Sequence, residues 1–144
     1  MPLARVVYVM EWSESVVKIM SSPPITAKPF ERLVDATRIM YQNRVGSVVV
    51  VDDNLRPIGI LTKSDFLYFI ATGIVKRDPL VREVMKSAPV TIRQSESIKD
   101  AYDRMKSLNI RHLPVVNEQG TLVGVVSMRD ILLYVCKPAI PASQ

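Results

Sequence analysis

Two tetrapeptides carry the residue types best suited to chemistry, Thr62-Lys63-Ser64-Asp65 and Ser127-Met128-Arg129-Asp130. Each follows an apolar, β-branched run and precedes an apolar helical one, so in each a strand ends where a helix begins. Free backbone N–H groups and the positive end of the helix dipole then face one space, which suits a phosphate. A carboxylate at the fourth position can accept hydrogen bonds from two vicinal sugar hydroxyls, and the hydroxyl at the first can donate to an anion or a base edge. The same spacing is also the capping box that simply starts a helix. Other chemistries have little material. His112 is the only histidine and Cys136 the only cysteine, which excludes a zinc site of Cys and His ligands and an intrachain disulfide. Cys136, at the end of an apolar stretch, reads as a buried, inert thiol.

The elements that hold these turns come as a repeat. Sliding the sequence by 65 residues aligns Lys18–Ile70 with Glu83–Val135 without a gap. Identities include Met20/Met85, Pro24/Pro89, Thr26/Thr91, Asp35/Asp100, Met40/Met105, Gly59/Gly124, Asp65/Asp130 and Leu67/Leu132. Internal self-similarity of this length means two copies of one supersecondary unit. Each copy is about 55 residues, a size at which one core is marginal, so the two are expected to fold against each other.

Within each copy, Pro24–Ala27 and Pro89–Ile92 read as short extended lead-ins. Ser95 with Glu96 then opens a helix whose apolar positions are Ile98, Ala101, Tyr102, Met105 and Leu108, matched in the first copy by Leu33, Ala36 and Met40. Met40 and Met105 fill the core. Next comes the strand Gly46–Val51, a turn at Asp52–Pro57 and a strand at Ile58–Thr62; the second copy has Leu113–Val116, a turn at Gly120 and Leu122–Ser127. Helices follow from about Ser64 to Ala71 and from about Arg129 to Val135. The expected order is β-α-β-β-α, twice. Residues 1–16 form an extension, 17–70 and 81–136 the two motifs, 71–80 a linker and 137–144 a tail.

The Met-x-x-x-Pro-[Ile/Val]-Thr lead-ins at Met20 and Met85, the strands GSVVVVD and RHLPVVN, and the segments GILTKSD and GVVSMRD resemble the tandem cystathionine beta-synthase (CBS) domain pair, or Bateman module, over roughly residues 16 to 136. The resemblance implies an α/β fold, α+β in some schemes, of two motifs about a pseudo-two-fold axis. It further implies a homodimer, and clefts between the motifs for adenosyl compounds: AMP, ADP, ATP or S-adenosylmethionine. It gives Asp65 and Asp130 the ribose, Thr62 and Ser127 a hydroxyl contact, and Thr26 and Thr91 the base; threonines at a strand edge are the alternative. Arg111 and His112 are directed at phosphate, with a surface Arg and His as the alternative, and Ser64 and Arg129 complete the binding set. The copies differ here, because Gly46, Ser47 and Ser64 stand where Arg111, His112 and Arg129 do. Cations reaching across the axis would make the Asp65 cleft the better one for phosphate.

The resemblance implies a non-enzymatic, stand-alone regulatory or energy-sensing module that passes ligand occupancy to an unknown protein partner. The chain has 144 residues, 48% apolar and 23% charged, which fits one globular domain and excludes a large multidomain enzyme. Its longest apolar runs, Val48–Val51 and Ile131–Val135, fall far short of the roughly 18 residues of a membrane-spanning helix. The Val6–Met10 run is followed by Glu11 and Glu14 without a small-residue cleavage site, so no signal peptide is read and the cytoplasm is expected. A net charge of +5 suits an anionic ligand as well as nucleic acid. No helix-turn-helix or RNP-like aromatic motif supports the latter. A scaffold with vestigial clefts is the other reading.

Overall fold

The computed structural model describes residues 11–136; the Val6–Met10 run and the tail 137–144 lie outside them. The first copy forms β1 (Thr26–Ala27), α1 (Leu33–Asn43), β2 (Ser47–Val51), β3 (Pro57–Thr62) and α2 (Lys63–Ala71). A 3-10 turn, Ile74–Arg77, leads to α3 (Val81–Val84) and β4 (Lys86–Ser87). The second copy forms β5 (Ile92–Arg93), α4 (Ile98–Leu108), β6 (His112–Val116), β7 (Leu122–Ser127) and α5 (Met128–Val135). The expected β-α-β-β-α order is present twice, in a mixed α and β fold with two sheets.

Both sheets are wired alike. β1 runs parallel to β2 and β5 parallel to β6, and each continues into an antiparallel hairpin with a register shift, at Val50/Val51 and at Val115/Val116. Alternation along the strands then sets the layers. Val48 and Val50 face Leu33, Ala36 and Met40 of α1 and Phe69 of α2, whereas Val49 and Val51 face Leu122 and Val125 of the other sheet. In the second copy Leu113, Val115 and Val126 pack with Ile98, Ala101 and Met105 of α4 and Ile131 of α5. The result is helices, sheet, sheet, helices, with a thin apolar seam between the copies.

Each copy's lead-in crosses that seam. β4 pairs with β3, Lys86 opposite Ile60, and the equivalent Ser21 bridges to Val125, with N–H···O distances of 2.9 and 3.1 Å. Val81 of α3 is buried in the first copy's core beside Leu33, and Val16 is buried in the second copy's core beside Ile92 and Ile98. Met85 lies on Gly59 and Met20 on Gly124 so closely that a Cβ at either glycine would collide with the thioether.

Three local expectations are corrected. The helix expected to open at Ser95-Glu96 starts at Ile98, because Ser97 caps it: its hydroxyl accepts from Asp100 N–H at 3.1 Å, and the Asp100 carboxylate accepts from Ser97 N–H at 3.0 Å. Glu96 is diverted to Arg93 N–H at 2.8 Å and to Arg104 at 2.7 Å. The lead-in strands are only two residues long, since Pro24 and Pro89 offer no ladder N–H. Cys136 is exposed, not buried, because it caps the C-terminal end of α5, beyond the last residues that pack on the core, Tyr134 and Val135.

A methyl at Gly124 would meet Met20 Sδ at 2.5 Å and the Ser21 backbone oxygen at 2.9 Å, whereas one at Gly59 meets only the Met85 side chain. Gly124→Ala is expected to cost about 1–3 kcal/mol and lower the melting temperature by about 3–10 °C, with Gly59→Ala costing less. A thermal melt in which Gly124→Ala matches the parent would show that the crossing contact is loose.

Candidate ligand clefts

Backbone geometry explains why the two strand-to-helix turns form. At Thr62 and Ser127 the chain is still extended, and the next residue begins the helix. Lys63 N–H donates to Gly46 O at 3.1 Å, and Met128 N–H to Arg111 O at 2.8 Å, which ties each turn to the start of the neighbouring strand. Both turns make the capping arrangement. The Asp65 carboxylate accepts from Thr62 N–H, and that of Asp130 from Ser127 N–H, each at 2.8 Å.

Beyond that shared bond the two carboxylates differ. The hydroxyl of Thr62 donates to the same Asp65 Oδ2 at 3.1 Å, whereas the hydroxyl of Ser127 accepts from Asp130 N–H at 3.1 Å. Ser127 therefore keeps its own hydrogen for another acceptor. Asp65 is also nearly buried, 9% exposed, and Lys86 Nζ of β4 stands 3.2 Å from its Oδ1. The position equivalent to Lys86 is Ser21, so the second copy has no ammonium there.

His112 is the point where the copies meet. Its Nε2 lies 3.1 Å from where a Cβ of Gly46 would be, with Lys63 Cε 4.0 Å from that same point. An imidazole from one copy thus fills the space left by glycine in the other. Burial holds its pKa below the usual 6.5; the Asp130 charge pulls it up, and Lys63 and Arg111 push it further down.

The remaining sequence-selected residues are placed as follows. Arg111, Arg129 and Ser64 are exposed next to these turns. Thr26 opens β1 and Thr91 immediately precedes β5, at the outer edge of each sheet, with β2 or β6 between them and the strand that ends at the turn. Thr91 also lines a depression of about 410 Å³ with Arg93, Ser95, Glu96 and Arg104, where Arg104 donates to Thr91 O at 3.0 Å. That guanidinium holds the Glu96 carboxyl below its ordinary range. Two residues went unnoticed in the sequence, Lys63 and Lys86. Their signal was available: in the repeat they stand opposite Met128 and Ser21.

Both copies match the CBS domain, over residues 16–72 and 81–137. The chain belongs to the CBS domain family. It is 32% identical over 121 residues to an uncharacterised protein of Methanopyrus kandleri, covering 83% of this chain and 62% of that protein. It is 28% identical to the L-aspartate semialdehyde sulfurtransferase of Methanocaldococcus jannaschii over 78% of this chain, but it spans only 21% of that enzyme. Among solved structures, a CBS domain protein from Pyrobaculum aerophilum complexed with AMP is 28% identical, with a TM-score of 0.74 over 85% of this chain and 98% of its own. A CBS domain pair in complex with 5′-methylthioadenosine and S-adenosyl-L-methionine is 28% identical, with a TM-score of 0.73 over 82% of this chain and 92% of its own.

A neutral, half-buried His112 sets a pH dependence. Its folded-state pKa lies below the unfolded value, so the unfolded chain takes up the proton first as pH falls, and stability should drop below pH 6.5. Because His112 is the only histidine, His112→Gln should flatten the stability profile between about pH 7 and 5. Urea midpoints that fall equally in both proteins over that range would refute this.

Proposed function

We propose that this CBS pair is a regulatory module that binds adenosyl ligands in the clefts between its two motifs and carries out no chemical step on them. The observation that carries the proposal is the pair of strand-to-helix turns, each presenting a carboxylate beside helix N–H groups at the seam between copies. Relatives of the same architecture at 28% identity were solved with AMP or with 5′-methylthioadenosine and S-adenosyl-L-methionine. In this reading Asp65 and Asp130 accept from the ribose hydroxyls, and Thr62 and Ser127 contact the ligand beside them. Thr26 and Thr91, two strands away, line the base. Lys63, Ser64, Arg111, His112 and Arg129 face the phosphate or its replacement.

Saturation at about 100 times the dissociation constant should stabilise the fold by roughly 2.7 kcal/mol. Asp65→Ala and Asp130→Ala should each weaken binding at their own cleft by about 1.5–3 kcal/mol, since the lost bonds are to a charged acceptor. Melting curves that do not move with millimolar AMP, ATP or S-adenosylmethionine would reject the function.

The same reading includes a homodimer that passes occupancy to a protein partner. α2 exposes Leu67, Tyr68 and Ile70, and α5 exposes Leu132 and Leu133. Leu67 and Tyr68 are the repeat equivalents of Leu132 and Leu133, so both copies present the same apolar helix face. Their helix neighbours Phe69 and Ile131 are already spent on the cores. Light scattering should return twice the 16.2 kDa chain mass at micromolar concentration, and Leu67→Glu with Leu132→Glu should halve it. A parent mass of one chain would refute the dimer.

A further inference from the structure

We propose that Lys86 makes the Asp65 cleft selective for phosphate-bearing adenosyl ligands, a selectivity the Asp130 cleft lacks. The inference rests on the adenosyl-binding reading above and assigns a ligand class to one of its two clefts. Both oxygens of Asp65 have partners within the chain: Oδ2 the N–H and hydroxyl of Thr62, and Oδ1 the Lys86 Nζ at 3.2 Å. A ribose whose two hydroxyls bind there competes with the ammonium for Oδ1. Asp130 carries no ion pair among the described residues, and Ser21 occupies the position of Lys86.

Displacement has different consequences for different ligands. Lys86 is 69% exposed on its side chain, at the end of a flexible four-carbon stem, while Asp65 is fixed and nearly buried. An ammonium released by an uncharged nucleoside goes to water, and the lost pairing is not replaced. One released by AMP or ATP finds the ligand's own phosphate within the same cleft, where the helix N–H groups already favour an anion. An S-adenosylmethionine sulfonium adds repulsion. The ammonium thus acts as a counter-ion on loan to Asp65, and the cleft discriminates by the charge the ligand brings.

The test isolates the Asp65 cleft in Asp130→Ala and compares AMP with adenosine by calorimetry, with and without Lys86→Ser. Lys86→Ser should tighten adenosine about three- to fivefold, the range expected for loss of a largely exposed competing pair, and weaken AMP. The adenosine-to-AMP ratio of dissociation constants should therefore fall at least fivefold, and the effect should shrink in high salt. Lys86→Met, which keeps the stem in β4, should give the same ratio if serine disturbs the strand. In the converse design, Ser21→Lys in Asp65→Ala should raise the preference of the Asp130 cleft for AMP. An unchanged ratio in both Lys86 variants overturns the proposal and leaves the functional reading standing. So does AMP binding to the parent that vanishes in Asp130→Ala. Failure of the parent to bind either compound overturns both.

Discussion

Neither copy of the repeat can close its own core, and the rest of the structure follows from how each is completed by the other. Val16 and Val81 leave their own motif's chain direction to be buried in the opposite core, and the residues after them add an extended segment to the far edge of the opposite sheet. Gly59 and Gly124 make this possible, since only a residue without Cβ lets Met85 and Met20 lie on the strand. A 55-residue unit buries too small a fraction of its surface to be independently stable, so the exchange is what turns two marginal halves into one fold.

That exchange also builds the clefts. The segment added beside β3 reaches the turn that carries Asp65, so that carboxylate is bordered by Lys86, a residue numbered with the other motif. On this nearly symmetric frame a few substitutions break the equivalence. Lys86 against Ser21 neutralises one carboxylate and leaves the other, while His112 against Ser47 and Arg111 against Gly46 put an imidazole from one side into space left by the other. The apolar pattern keeps the symmetry, and the asymmetry that bears on the two turns lies at these polar positions.

The repeat, the β-α-β-β-α order and the core methionines were legible in the sequence because they rest on periodicity and on identities spaced 65 apart. Met40 and Met105 are buried as expected from helical spacing. The turn residues were legible for the same reason. What was hidden depends on contacts between segments distant in sequence. Nothing local says that Lys86 reaches Asp65, that Arg104 takes Glu96 away from a helix start, or that Met20 and Met85 are stacked on glycines of the opposite copy. Ser97 outcompetes Ser95 as a cap because its hydroxyl has Asp100 three residues on, a distinction the sequence contains, while Ser95 has Ile98.

The ion pair at Asp65 is weak as a structural device, and that is what fits it to a binding site. A pair with one partner mostly in water contributes at most about 1 kcal/mol to folding, so the fold does not depend on it. The same energy at a ligand site is a factor of about five in affinity, because there it enters as a difference between ligands and not as a fraction of a large sum. A fully buried pair would resist displacement: stripping one partner would leave an uncompensated charge at a cost of several kcal/mol, and no ribose hydroxyl could replace it. A fully exposed pair would be screened away. Asp65 is held nearly out of water by the turn, while Lys86 is left in it on a two-residue strand. The carboxylate therefore keeps its orientation whether the ammonium is present or has moved to a phosphate, and only the mobile partner has to respond to the charge of the ligand.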